Sequence, residues 1–129
     1  MAKQIIKTPN APAPIGPYNQ AILIDGTLYT SGQIPMDPET NELIQGSIKD
    51  ETEQVMKNLQ AVLAAAHMTF ENVVKTSIFV KNMNDFSAIN EVYGTYFDAE
   101  TAPARETVEV GNLPKYVNIE ISMIAVVDA

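Results

Sequence analysis

The apolar residues of this chain recur at two different spacings, and the switches between them divide it into elements. Ala21-Ile22-Leu23-Ile24 and Thr27-Leu28-Tyr29-Thr30 are short strand-like runs on either side of Asp25-Gly26. An Asp-Gly pair between such runs predicts a tight hairpin, because both central turn positions call for positive φ. From Ser47 to Ala66 the period changes: Val55, Met56, Leu59, Val62, Leu63 and Ala66 repeat at helical spacing with charged residues opposite. This predicts one long amphipathic helix with Ser47 or Asp50 as its N-cap.

Val73 to Val80 is apolar and β-branched, as in a buried strand, and Asn82 to Asn84 interrupts it. A second helix is expected from Asp85, with Phe86, Ile89, Tyr93, Tyr96 and Phe97 as a core-facing stripe and Asn90 at its edge. Two further strands are expected at Arg105 to Val110 and Val117 to Val127. Alternation sets Arg105, Thr107 and Glu109 opposite Val108 and Val110, and Glu120 and Ser122 opposite Ile119, Ile121 and Met123. If these strands pair around the intervening loop, Thr107 falls opposite Glu120 with Arg105 one step away, on one polar surface. The order β-β-α-β-α-β-β predicts an α+β fold with the helices on one face of a sheet.

A length of 129 residues fits a single domain, 1–129, able to bury a core without disulfides or metal. The prolines at 9, 12, 14 and 17 make the approach to Tyr18 an extended loop. No stretch reaches the roughly 20 apolar residues of a membrane span. The first residues resemble neither a signal nor a transit peptide, so a soluble, cytoplasmic protein is expected, with no membrane partner. A net charge of -8 argues against nucleic acid as a partner, since that affinity comes from clustered Lys and Arg.

Cysteine is absent, and the one histidine, His67, follows a helical run, where it complements the helix dipole. Thiol nucleophiles and His-rich metal sites are thereby excluded, and no metal is expected. Arg105 is the only arginine among seven lysines. Its planar fork suits a carboxylate or phosphate, which lysine grips less well. A structural ion pair to an acidic residue is the competing reading of Arg105. With Glu120, the hydroxyls of Tyr18, Ser31 and Thr107, and the Asn90 amide, it could bind a small carboxylate and orient water. Taken singly, each of these has an ordinary structural explanation, and their spacing does not select a reaction.

The stretches Ala13-Pro14-Ile15-Gly16-Pro17-Tyr18-Asn19-Gln20-Ala21, Tyr29-Thr30-Ser31-Gly32-Gln33-Ile34-Pro35, Asn84-Asp85-Phe86-Ser87-Ala88-Ile89-Asn90 and Ala102-Pro103-Ala104-Arg105-Glu106-Thr107-Val108-Glu109-Val110 resemble the reactive intermediate deaminase A (RidA) family, also called the YjgF family. The resemblance covers essentially the whole chain. It implies a chorismate-mutase-like fold with a mixed β-sheet, assembled as a homotrimer with clefts between subunits. It also implies hydrolysis of 2-aminoacrylate, 2-aminocrotonate and related imines to 2-oxo acids and ammonia, with no cofactor. By position, Arg105 would hold the substrate carboxylate, Glu120 would activate water with Tyr18 beside it, and Ser31, Gly32, Asn90 and Thr107 would line the cleft. Thr107 stands where many bacterial relatives have Cys, so a thiol plays no part. The alternative is a module of the same family that binds small carboxylates, or a protein partner, without turnover. A ribonuclease or translation-inhibitor activity, attributed to some relatives, fits the acidic charge and the single histidine least well.

Overall fold

The computed structural model describes residues 2–129, and among them six strands form one mixed sheet in the order β1-β2-β3-β6-β4-β5. The strands are β1 (Gln4–Ile6), β2 (Ala21–Ile24), β3 (Thr27–Thr30), β4 (Val73–Val80), β5 (Ala104–Glu109) and β6 (Ile119–Val126). Two helices, α1 (Ile48–Ala65) and α2 (Phe86–Tyr93), pack on each other and on one face. All pairs are antiparallel except β4 with β5, which the α2 crossover joins in parallel.

The β2–β3 hairpin turns at Asp25 and Gly26, both at positive φ, as their sequence predicts. Helix α1 begins at Ser47, whose hydroxyl accepts from the Asp50 amide at 3.1 Å. Its other end adds a backbone role for His67 to the dipole role expected from sequence. That residue takes φ 60° just past the C-cap, with His67 N–H bonded to Ala64 O and Met68 N–H to Leu63 O. This paired arrangement closes the helix with a left-handed residue, the place glycine usually fills. The backbone of His67, more than its ring, does the capping.

Burial alternates along β6: Ile119, Ile121, Met123 and Ala125 lie under the helices, and Glu120, Ser122, Ile124 and Val126 face the other way. Thr76, Ile78 and Val80 of β4 join the inner set, with Val55, Met56, Leu59, Val62 and Leu63 of α1 above them. The outer face is bare. It shows Ile5, Ile22, Ile24, Tyr29, Phe79, Val108, Ile124 and Val126, with Tyr29 49% exposed.

Two expectations change. The strand β1 is missing from the sequence reading, because three residues with one buried side chain carry too little period to register. The second change moves the site: β5 and β6 are not neighbours, since β4 lies between them. The near-continuous apolar run of β4 is that of an interior strand, and loop 111–118 is long enough to cross it.

Candidate functional site

Strand register places the two charged residues of interest on opposite faces. Arg105 is level with Thr76 and Met123, both buried beneath the helices. Glu120 is level with Phe79 and Val108 on the bare face. Three residues along the strand and two strand spacings separate their Cα atoms by about 14 Å. Arg105 and Glu120 of one chain therefore do not share a polar surface, contrary to the sequence expectation. The parallel β4–β5 pairing, governed by the α2 crossover, replaced the hairpin register on which that expectation rested.

The arginine half is built by β5 and α2. Arg105 Nη1 donates to Asn90 Oδ1 at 2.7 Å. Its guanidinium carbon lies 5.5 Å from the Phe86 ring centre and 5.1 Å from that of Tyr93, within cation–π range. Residues 86, 90 and 93 succeed one another on one helix face, so a single stripe of α2 cradles the fork. The ion pairs among the described residues are Lys49–Glu91 and Lys75–Glu106, and none involves Arg105. Among the described residues, Arg105 therefore has no structural salt bridge. Thr107, two residues on and on the same face, has a buried hydroxyl with no hydrogen-bond partner.

The glutamate half is built by β6 and the segment after β3. Gln33 exchanges backbone hydrogen bonds with Ile121, which draws Gly32 over Glu120. A side chain at position 32 would have no room, because its Cβ would stand 2.1 Å from Glu120 Oε2. Burial pushes the Glu120 carboxyl above its ordinary value. A carboxyl raised in this way is a better base than an ordinary carboxylate once ionised.

Tyr18 stands beside Gly32 at 46% exposure, its hydroxyl accepting from the Ile15 amide at 3.3 Å. The Ser31 hydroxyl donates to Asn19 O at 2.6 Å, tying down the Tyr18 loop and leaving only its lone pairs for a ligand. Behind that loop, buried Gln20 donates to the carbonyls of Thr8, Ala11 and Pro12 and accepts from the Thr8 amide. Asn58 of α1 holds the far side through Ile34 O and Met36 O.

Six of the seven residues expected at the site thus fall into two clusters. Arg105, Asn90 and Thr107 form one, and Glu120, Gly32 and Tyr18 the other, with Ser31 bracing the second. The niche lined by Tyr18, Gly32 and Gln33 measures about 20 Å³, room for about one water. A cavity of about 720 Å³ between Phe70, Tyr96, Phe97 and Pro103 includes neither Arg105 nor Glu120 among its walls. Sequence reading missed the roles of Phe86 and Tyr93 beside Arg105, having assigned both to the core; the 86, 90, 93 spacing was the available signal.

A model of the family described as Endoribonuclease L-PSP matches residues 8–127. A RutC family protein of Synechocystis is 54% identical over 127 residues, 98% of both chains. A 2-iminobutanoate/2-iminopropanoate deaminase of Dermatophagoides farinae is 48% identical, again over 98% of both. The crystal structure of a Rid family protein of unknown function from Yersinia pestis superposes with a TM-score of 0.94 at 50% identity, covering 98% of this chain and 100% of that one. With the same mixed sheet and helices over nearly its full length, this chain belongs to the Endoribonuclease L-PSP family that contains the RidA (YjgF) deaminases.

Proposed function

We propose that this protein is a 2-iminobutanoate/2-iminopropanoate deaminase working in clefts between the subunits of a homotrimer. The observation that carries this reading is an arginine fork that finds no carboxylate among the described residues, in a fold that puts the desolvated Glu120 on another face. A second copy, docked by its bare apolar face, would bring its Glu120, Gly32 and Tyr18 to the first copy's Arg105, Asn90 and Thr107. Deaminases at 48% identity over nearly the whole chain support the same reaction class.

The chemistry follows from those groups. Arg105 grips the substrate carboxylate through its free N–H edge and sets the imine carbon against a water held by Glu120. As the water oxygen bonds to C2, Glu120 takes a proton from the water and hands it to the imine nitrogen, giving a neutral carbinolamine. Glu120 then takes the hydroxyl proton and passes it to the amine nitrogen as the carbon–nitrogen bond breaks, so that ammonia leaves, the hydroxyl oxygen becomes the carbonyl of a 2-oxo acid and Glu120 is a carboxylate again. Free imines already hydrolyse in water, so positioning and electrostatics need supply only a modest acceleration. This reading involves neither metal nor organic cofactor.

The test couples the purified protein to a pyridoxal-phosphate-dependent threonine or serine dehydratase and follows oxo-acid release. Faster release of 2-oxobutanoate or pyruvate is expected, undiminished by a chelator. Unchanged release with both 2-aminocrotonate and 2-aminoacrylate would leave a binding module in place of an enzyme.

A further inference from the structure

We infer that the buried Thr76–Tyr93 hydroxyl pair is a positioning device for Arg105, an inference that rests on the proposed carboxylate-binding role of that arginine. Thr76 is fully buried on β4, and in the strand register it is the residue directly beside Arg105 on the same face. Its Oγ1 lies 2.8 Å from the Tyr93 hydroxyl. The ring of Tyr93 in turn carries the guanidinium, 5.1 Å from its centre. The three side chains close a triangle across β4, α2 and β5, in which the arginine's own ladder neighbour fixes the ring it rests on.

Core packing alone does not explain these residue types. Position 76 is a fully buried site on an interior strand, where valine has nearly the same shape and no polar atom to satisfy. Tyr93 is buried in the main core cluster and tilts against Phe97 with ring centres 4.8 Å apart. Phenylalanine would suffice there. The two hydroxyls satisfy each other, and what they add is a fixed ring angle under Arg105. A ring free to pivot would let the fork turn about its remaining anchors, the Asn90 amide and the Phe86 ring. Burial also pushes the Tyr93 phenol above its ordinary value, so the pair stays neutral.

The experiment compares wild type, Thr76→Val, Tyr93→Phe and the double variant Thr76→Val/Tyr93→Phe by three measurements. These are urea denaturation, affinity for 2-oxobutanoate by titration calorimetry, and the Nε–H signal of Arg105 in a proton–nitrogen NMR spectrum. Because this is the chain's only arginine, that signal needs no assignment.

Each single variant strands one buried hydroxyl and loses stability. The double variant removes both polar groups and recovers stability, as apolar replacement of a satisfied pair does. The positioning role predicts that affinity stays about 3- to 10-fold weaker in the double variant and that the Arg105 signal is displaced. Thr76→Ser, which keeps the hydroxyl, should keep the wild-type signal and affinity. Recovery of affinity and signal together with stability in the double variant would reduce the pair to core packing and overturn the inference. A wild type that neither binds 2-oxobutanoate nor accelerates imine hydrolysis would instead bring down the proposed role of Arg105, and this inference with it.

Discussion

Glu120 fills the space that a side chain at position 32 would occupy: a Cβ on Gly32 would lie 2.1 Å from Glu120 Oε2 and 2.6 Å from its Cδ. The absence of a side chain there is what permits the carboxylate to fold over the turn after β3. Gly32→Ala should displace the carboxylate and destabilise the chain by about 1–3 kcal/mol, the usual cost of overpacking. Turnover in the coupled assay should fall at least tenfold. In Gly32→Ala/Glu120→Ala the space is vacated, so denaturant titration should show stability recovering while activity stays lost. Wild-type turnover in folded Gly32→Ala would show that the placement of Glu120 does not matter.

Arg105 makes no ion pair within the described chain and its side chain is exposed, so Arg105→Ala and Arg105→Lys should change stability by no more than about 0.5 kcal/mol. Their kcat/KM should nevertheless drop by roughly ten- to several hundredfold, the value of one or more hydrogen bonds to a charged group. Lysine should rescue little, since it keeps the charge and loses the fork.

The division of site residues between two faces gives a sharper expectation. Unfolded and refolded together, the impaired Arg105→Ala and Glu120→Gln chains should regain activity, because a mixed trimer would contain a cleft with an intact Arg105 from one copy and an intact Glu120 from the other. Neither variant refolded alone should do so. Light scattering on the same samples should return three chains. Activity in a demonstrably monomeric protein would contradict the shared site.

Burial raises the Glu120 carboxyl in the folded chain from an ordinary value of 4.5. Between those two values the folded state holds the proton more firmly than the unfolded state. The contribution of Glu120 to stability is therefore present at low pH and is lost as pH rises through the folded value. Glu91 and Glu106 are held low by Lys49 and by Ser77 with Lys75, and act in the opposite sense, so the informative quantity is the difference between variant and wild type. Relative to wild type, Glu120→Gln should gain stability as pH rises through that window. Catalytic rate should climb over the same range in wild type, as the base loses its proton, and the variant should show no such limb. A flat difference curve would mean that Glu120 is not desolvated.

His67 occupies a left-handed position that costs a residue with a Cβ roughly 1–2 kcal/mol, and it is exposed. His67→Gly should stabilise the chain by about 0.5–1 kcal/mol in urea, with an unchanged m-value and unchanged turnover. Destabilisation would restore a role for the imidazole at the end of α1.

The sequence alone determined what short-range physics controls. The Asp25-Gly26 hairpin, the Ser47 cap and amphipathic face of α1, the buried run of β4, and the alternation that sets Arg105 and Thr107 against Val108 are all written in neighbouring residues, where period and turn chemistry act locally. The candidate residues were legible too, because a lone arginine, no cysteine and one histidine exclude thiol and His-rich metal chemistry, although they did not select a reaction. What only the tertiary structure decided was partnership across the sheet. The insertion of β4 between β5 and β6 depends on a parallel crossover through α2, and a one-residue change of register moves a side chain to the opposite face. That step sent Glu120 to the bare face and Arg105 to the helices, split the candidate site residues into two clusters, and set the guanidinium over the core residue Tyr93, because pairing between distant strands is settled by how the whole sheet buries its apolar surface.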